Sequence, residues 1–201
     1  MQQDMSALTP SASTVQSMDP FSLPRSPQWP EVQHACLEKN NYTCAACGIQ
    51  GEGLIQVHHI IPFQYCIVYD RPELEFNPKN LIPLCEGPGT NDHHVAIGHL
   101  GDFQHLNQDV LTDIAGTWKE LARAAIEILP DFIARRKWPV KPVSPEDQAA
   151  LIALMNQWYG PKPQESIEVL IQQWYGFKPS IGGTLSSEMS NDTPTSGVSG
   201  S

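Results

Sequence analysis

The sequence predicts an α+β fold in which a small domain with two short strands precedes a mostly α-helical C-terminal region. The strands are predicted from two apolar segments, residues 54–61 and 81–84, the first of which alternates apolar with polar side chains. After residue 105, apolar residues recur at helical spacing. Both termini are predicted to be disordered, because residues 1–27 and 180–201 are rich in small and polar residues and cannot form a core.

The length and charge of the chain exclude several classes of protein. A chain of 201 residues suits one domain of ordinary size with tails. Its 12 basic and 22 acidic residues give a net charge of −10, which argues against a basic nucleic-acid coat or a polybasic membrane binder. No apolar run has the length of a membrane span, and residues 1–17 lack the features of a signal or transit peptide. The negative charge does not exclude an enzyme that binds phosphate through a metal ion.

The cysteine and histidine content indicates metal binding rather than disulfide formation. Five cysteines without a secretory signal fit a reducing compartment, so we expect a cytoplasmic protein. Five of the seven histidines lie within residues 58–99 and all five cysteines lie within residues 36–85, so both kinds of ligand fall in the same third of the chain.

Residues 28–105 are predicted to form the small α+β domain. The proline in the second apolar segment is typical of an edge strand. The predicted elements are a helix at residues 30–39, a cysteine knuckle at 42–48, strands at 54–61 and 81–84, and a short helix at 92–98.

Residues 106–141 are predicted to form one long amphipathic helix. Asn107 is the expected N-cap, Asp109 lies in the first turn, and Pro130 should kink the helix. The apolar residues with helical spacing are Leu111, Ile114, Trp118, Leu121, Ala125, Ile128 and Phe132.

Residues 144–179 contain an internal repeat and are predicted to form a pair of short helices. Segments 154–163 and 170–179, which are offset by 16 residues, both contain Trp-Tyr-Gly followed by a proline. One interpretation is a small helical hairpin that packs on the long helix. The other is an exposed aromatic surface through which residues 144–179 bind a protein partner.

A Cys-x-x-Cys turn predicts a structural metal site. Cys44 and Cys47 have the spacing that a tetrahedral zinc ion needs, and no thioredoxin-like βαβ pattern surrounds them. Cys85 and His93 would complete a Cys3His set; the alternative is that Cys85 is a buried core cysteine. Two other cysteines have no partner at ligand spacing and are interpreted as core residues: Cys36 and Cys66.

Two adjacent histidines at the end of the first predicted strand indicate a catalytic site. One of His58 and His59 can ligate a metal while the other takes a proton from water, a role that suits the near-neutral pKa of histidine. Asn80, just before the second strand, could bond the loop backbone, orient the catalytic imidazole, or do both.

Further histidines follow in the last predicted helix of the domain. His93 and His94 lie about 100° apart on a helix, so they can face two different sites. His99 lies about 140° from His94 around a continuous α-helix, so it could join a site with His94 only if the helix stopped at Gly98.

The order and spacing of these blocks resemble the zinc-containing HNH endonucleases. The blocks are Cys44-x2-Cys47, the Val-His-His-Ile-Ile-Pro of residues 57–62, the Asn-Leu-Ile-Pro-Leu-Cys of residues 80–85, and His93-His94. The resemblance covers roughly residues 30–105. It implies a ββα-metal fold closed by a zinc knuckle, in which His59 is the general base that activates water against a DNA phosphodiester and Asn80 is the family's central asparagine.

The resemblance also implies two kinds of metal ligand. His58 stands where the family often has an aspartate that binds the catalytic Mg²⁺ or another divalent cation, and His94 matches the final histidine, a second ligand of that metal. We add His99 as a third candidate. Cys44, Cys47 and Cys85 match the zinc cysteines. The fourth zinc ligand is usually a cysteine, and here His93 occupies its place after an interval longer than the family's.

Two functions from different classes fit these observations. The favoured one is a metal-dependent nuclease that cleaves DNA. Residues 31–105 have three basic and nine acidic residues, a net charge of −6, so we expect DNA binding to be weak and salt-dependent. The alternative is a catalytically silent, zinc-stabilised interaction module that keeps the HNH scaffold and binds a protein through residues 144–179.

Overall fold

The computed structural model describes residues 23–103, 105–107, 109–121, 137–139 and 144–180, and it confirms the α+β class. The α-helices are α1 (Trp29–Lys39), α2 (Phe63–Val68), α3 (Val110–Ala115), α4 (Pro145–Tyr159) and α5 (Ile167–Tyr175). The strands are β1 (Ile55–His59), β2 (Leu81–Cys85), β3 (His105–Asn107) and β4 (Lys137–Pro139). Short 3-10 helices span Pro72–Glu75, Pro78–Asn80 and Thr117–Glu120, and a π-helix spans His94–Gly98.

The sheet that positions the site is an antiparallel pair of β1 and β2. His58 lies opposite Ile82 and His59 opposite Leu81, so the two histidines lie at the end of the pair next to Asn80. Pro83 is tolerated within β2 because this sheet has two strands, both of which are edges.

The sheet is covered by short helices. Ile82 and Leu84 of β2 belong to the same buried cluster as Ala96 and Ile97 of the π-helix. On α1, Trp29, Val32 and Cys36 are spaced by three and four residues, which places them on one face that packs against Val57 and Leu81. Cys36 and Cys66 are both buried, as predicted.

The first described residues fall within the predicted N-terminal tail. Residues 1–22, within the predicted disordered tail, lie outside the described residues, but residues 23–27 are described and pack on the α+β domain. Arg25 lies over the rings of Trp29 and Phe63, and the Ser26 amide donates to Glu75. The last residues of the predicted tail therefore belong to the domain. The predicted C-terminal tail is outside the described residues from 181 onward.

The prediction of one long helix over residues 106–141 is wrong in the part that the structure describes. Asn107 lies in β3, and its side chain donates to the carbonyl of Ile97 and to Asp113 instead of capping a helix. The helix α3 begins after Asp109 and ends at Ala115, because Gly116 adopts an extended conformation. The strand β3 pairs with β4, and this tertiary pairing overrides a helical pattern that is only a weak prior. Residues 122–136 are outside the described residues.

The repeat of residues 144–179 forms two helices, α4 and α5. Ser144 and Asp147 form a capping box at the start of α4. Both helices end at a glycine with positive φ, which is 74° at Gly160 and 81° at Gly176.

The aromatic side chains of the repeat pack on the α+β domain. Trp158 contacts the buried cluster that contains Ile55 and Leu84, and Trp174 and Tyr175 contact the cluster of Trp29 and Phe76. The structure therefore does not support the predicted aromatic docking surface. The helix pair also packs on the small domain rather than on a long helix. None of the described helices is long and apolar enough to cross a membrane.

Candidate active site and metal-binding clusters

The described residues bring the candidate metal ligands together in two separate groups. In each group, the ligand atoms all lie within 4.8 Å of one another. The first group, the Cys3His cluster, contains Cys44, Cys47, Cys85 and His93. The second group, the three-histidine cluster, contains His58, His94 and His99. These are the two groups that the sequence analysis had proposed.

Local backbone structure places the four side chains of the Cys3His cluster. Cys44 and Cys47 lie on a tight turn in which the Gly48 amide donates to the Cys44 carbonyl, with φ of 75° at the glycine. Cys85 is the last residue of β2, and His93 directly precedes the π-helix. The turn and the strand end therefore bring the three thiols close to His93.

The distances within the Cys3His cluster suit a tetrahedral zinc ion. Zn–S bonds of about 2.3 Å and Zn–N bonds of about 2.0 Å place ligand atoms about 3.5–3.8 Å apart. His93 Nδ1 lies 3.5 Å from Cys44 Sγ and 3.4 Å from Cys85 Sγ, and the Sγ atoms of Cys47 and Cys85 are 3.9 Å apart. This group can hold a metal ion.

The thiols of Cys44 and Cys85 lie close enough to shift each other's pKa. A hydrogen bond from Cys44 lowers the pKa of Cys85 to about 3, with a further contribution from His93. The same bond raises the pKa of Cys44. A cation bound by these residues would displace the remaining thiol protons, because the thiolate is the form that ligates a metal ion.

A π-helix explains how His99 joins His58 and His94. Hydrogen bonds in a π-helix join residues five apart, so His94 and His99 come to the same side, which a continuous α-helix would not allow. The ring centroid of His58 lies 5.3 Å from that of His94 and 4.8 Å from that of His99. The helix ends at Gly98, which is the condition that the sequence set for His99 to join, but the sequence did not indicate a π-helix.

Gly98 lets the π-helix approach β1 closely. A Cβ atom at this position would lie 2.9 Å from Nδ1 and Cε1 of the His58 ring, which is closer than real Cβ contacts allow. A glycine here is therefore required by the position of His58 rather than by a turn.

The hydrogen bonds of the three-histidine cluster leave nitrogen atoms free to bind a cation. His94 Nδ1 bonds the Glu86 carboxylate, and His99 Nδ1 lies 3.2 Å from the His105 carbonyl. Such partners hold the proton on Nδ1 and leave Nε2 with a free lone pair. Neither ring nitrogen of His58, which is fully buried, has a hydrogen-bond partner among the described residues. An orphaned buried imidazole of this kind fits a metal ligand.

Two histidines of this cluster, His58 and His99, are held neutral. Burial, with smaller contributions from His99 and His94, lowers the pKa of His58 well below 6.5. Burial also lowers the pKa of His99 to about 4. Neutral imidazole is the form that binds a metal ion.

His59 points away from this cluster and is held by a backbone carbonyl. Its Nε2 lies 3.0 Å from the Glu75 carbonyl, so Nε2–H donates and Nδ1 is left as the acceptor. Burial and, secondarily, the Arg25 guanidinium lower the pKa of His59 well below 6.5, so the ring is neutral at pH 7. The sequence analysis missed Glu75, because a backbone carbonyl leaves no signal in residue type.

Asn80 holds the loops around His59 without touching its ring. The side chain is fully buried and bonds the backbone amide and carbonyl of Ile61 and the carbonyl of Leu74. Of the two roles considered from the sequence, the loop-holding one is seen directly. The hydrogen bond that orients the His59 imidazole is made with the carbonyl of Glu75 instead of with Asn80.

The comparison with protein families agrees with this geometry. Residues 44–97 match the family model described as HNH endonuclease. This segment is therefore similar to the HNH endonucleases. The matched HNH segment contains the whole Cys3His cluster, His58, His59 and Asn80, and it ends just before His99. No curated protein and no solved structure matches the chain.

A cleft in the HNH domain joins His59 to the three-histidine cluster. It has a volume of about 320 Å³, and its walls include His58, His59, His94 and His99. Arg25 also lines it, with Nη1 lying 3.3 Å from each ring nitrogen of His59 and 4.0 Å from the Glu75 carboxylate. Arg25 is the one arginine or lysine among the described lining residues. The sequence analysis missed it, because it assigned residues 1–27 to a tail.

Proposed function

We propose that this protein is a metal-dependent HNH endonuclease that hydrolyses DNA phosphodiester bonds with water activated by His59. The observation that carries the proposal is the shared cleft, in which a neutral imidazole stands beside three others that can hold a cation. Phosphodiester hydrolysis needs both an activated water and a positive charge near the leaving oxygen.

His59 is the proposed general base. Because Nε2–H donates to the Glu75 carbonyl, Nδ1 is the atom that takes a proton from water. Burial keeps the ring neutral at pH 7, so the base is ready without a prior deprotonation step. Asn80 fixes the loops on both sides of the ring.

His58, His94 and His99 are the proposed ligands of the catalytic divalent cation. When bound there, Mg²⁺ or another divalent ion would stabilise charge on the leaving oxygen. Imidazole ligands suit Ni²⁺ and Zn²⁺ better than Mg²⁺ or Mn²⁺, which prefer oxygen. We therefore expect Ni²⁺ to support higher activity than Mg²⁺ at equal concentration.

Cys44, Cys47, Cys85 and His93 are the proposed ligands of a structural zinc ion. All four are provided by the protein, so the site is closed and leaves no position for substrate. Its role is to tie the cysteine turn to the end of β2 and to the start of the π-helix.

DNA is the proposed substrate, bound weakly. The net charge of −6 over residues 31–105 opposes long-range attraction, so the contact must rest on the bound cation and on Arg25. The guanidinium stands where it can hold a phosphate oxygen next to His59.

A plasmid-nicking assay tests this proposal. Zinc-loaded protein is incubated with supercoiled plasmid and Mg²⁺, Mn²⁺ or Ni²⁺, with a chelator as the blank and a series of salt concentrations. We expect cleavage that requires the added ion and falls steeply with salt. Folded, metal-loaded protein that cleaves with none of the three ions would overturn the proposal.

Removing the Glu86 carboxylate, which bonds His94, should weaken binding of the catalytic cation. The substitution Glu86→Ala removes the acceptor that orients the ring, and such losses lower metal affinity roughly 10- to 100-fold. Calorimetric titration of Ni²⁺ into zinc-loaded protein measures this affinity. Glu86→Gln, which keeps an acceptor oxygen, should lose less affinity than Glu86→Ala. Glu52→Ala, on an exposed loop, should bind Ni²⁺ as the parent does. Equal affinities for all four proteins would contradict this role of Glu86.

A further inference from the structure

The two copies of the repeat each place a tyrosine hydroxyl on the same short segment of the HNH domain. Tyr159 of the first copy donates a hydrogen bond to Asn80 Oδ1 at 2.8 Å. Tyr175 of the second copy donates to the Phe76 carbonyl at 2.9 Å. Residues 76–80 lead into β2, so the duplicated helices hold one loop at two points four residues apart.

The first of these contacts completes the hydrogen bonding of Asn80. Its Oδ1 accepts from the Ile61 amide at 2.7 Å as well as from Tyr159. Its Nδ2 donates to the Ile61 carbonyl at 3.0 Å and to the Leu74 carbonyl at 2.9 Å. An amide side chain has two donors and two acceptor sites, and all four are used. Tyr159 therefore fixes the orientation of a fully buried group.

Asn80 connects the backbone on both sides of His59. Ile61, which Asn80 holds by both its amide and its carbonyl, is two residues after His59. Leu74 directly precedes Glu75, whose carbonyl accepts the hydrogen bond from His59 Nε2 at 3.0 Å. A shift of the Asn80 amide would move the strand end that carries the imidazole and also the carbonyl that orients it.

The helix α4 is held in place by other contacts. Arg71 Nη1 donates to Asn156 Oδ1 at 3.0 Å, and the Leu151 and Met155 side chains are buried against Leu74 and Cys66. Loss of the Tyr159 hydroxyl alone would therefore leave the helix docked. The effect of the hydroxyl on Asn80 can be separated from the effect of the helix on folding.

We propose that Tyr159 is a positioning residue for the proposed base His59, acting through Asn80. The C-terminal helix pair, which lies outside the matched HNH segment, is then part of the catalytic unit rather than a platform for a partner. This inference rests on the proposed nuclease function for its kinetic consequence. Its structural part, the link from Tyr159 to the His59 imidazole, is independent of cleavage.

A pair of matched substitutions in the full-length, zinc-loaded protein tests the inference. Tyr159→Phe and Tyr175→Phe each remove one hydroxyl from equivalent positions of the repeat, but only the first hydroxyl bonds Asn80. For Tyr159→Phe we expect kcat to fall roughly tenfold with KM unchanged, since small misplacements of a catalytic group are costly. For Tyr175→Phe we expect kcat within about twofold of the parent. Thermal unfolding of both variants is measured alongside.

Nitrogen-15 spectra of the histidine side chains provide a readout that does not depend on activity. In the parent protein and in Tyr175→Phe, His59 should show the tautomer protonated at Nε2 with a hydrogen-bonded proton. Tyr159→Phe should shift this signal toward a weaker hydrogen bond.

The outcomes separate this inference from the proposed function. An unchanged His59 signal in Tyr159→Phe would overturn it, and so would equal losses of kcat in the two variants. If the parent protein cleaves no DNA, the nuclease proposal fails, and the imidazole spectra alone then decide whether Tyr159 positions His59.

Discussion

Replacing His59 with alanine is expected to lower plasmid cleavage by roughly 10²- to 10⁴-fold, the range that a general base contributes. The imidazole is the proposed proton acceptor, and the other histidines that line the cleft, His58, His94 and His99, are the proposed metal ligands. Arg25, the cationic neighbour of the ring, stays protonated. The loss should therefore be in kcat, with both metal sites still occupied.

The measurement compares initial nicking rates at saturating Mn²⁺ or Ni²⁺ for the parent and His59→Ala. Metal analysis and circular dichroism establish that the variant is folded and loaded. His34→Ala is the matched control, because His34 is largely exposed on α1 and lies outside the cleft. If His59→Ala cleaves as fast as His34→Ala, His59 is not the base.

Removal of zinc is expected to unfold the HNH domain. The cluster is internal, since Cys44 and Cys85 are buried in the same apolar core as Ile55 and Leu84. A structural zinc contributes an apparent free energy of about 10–16 kcal/mol at neutral pH, which matches or exceeds the whole stability of about 5–15 kcal/mol of an ordinary domain. The β1–β2 pair provides too small a sheet to compensate for that loss.

This prediction is checked by following ellipticity and zinc release together during titration with a strong chelator. Cys85→Ala should behave like the chelated protein and bind no zinc with high affinity. Cys36→Ala, a buried cysteine outside both clusters, should keep its zinc and lose about 1 kcal/mol of stability. Coincident unfolding curves with and without zinc would show that the ion is not structural.

The two clusters of candidate metal ligands could be predicted because their chemistry is encoded locally. A Cys-x-x-Cys turn forms wherever the chain can bend, and the alternating pattern of residues 54–61 indicated the strand that ends at His58 and His59. The second strand came from a short apolar run followed by Cys85. Each of these signals depends on neighbours within a few residues.

The features that could not be predicted from the sequence depend on contacts between distant residues. The π-helix that brings His99 beside His94 has no propensity signature; it is seen only with Gly98 packed on His58. Arg25 lies 34 residues before the imidazole that it contacts, in a segment whose composition indicates disorder. Likewise, the helical pattern after residue 106 gave no sign of the pairing between β3 and β4.

In the repeat, the helix ends could be predicted from the sequence but the packing of the aromatic side chains could not. Its helix ends at Gly160 and Gly176 follow directly from the sequence. Whether its aromatic side chains are packed or exposed cannot be read from the sequence, because both cases have the same sequence pattern. Only the three-dimensional arrangement shows that Tyr159 and Tyr175 bond the loop before β2.

In the proposed nuclease, one ion supports the fold while a second, held by three histidines, serves cleavage. Metal counting and plasmid cleavage on a single preparation test this assignment most directly. Zinc-loaded protein is treated with a weak chelator, assayed, and assayed again after one equivalent of Ni²⁺, with His94→Ala in parallel. We predict a single zinc and no cleavage before the addition, and a second ion with cleavage after it, in the parent alone. Equal cleavage with zinc alone, or none with both ions bound, would contradict the account.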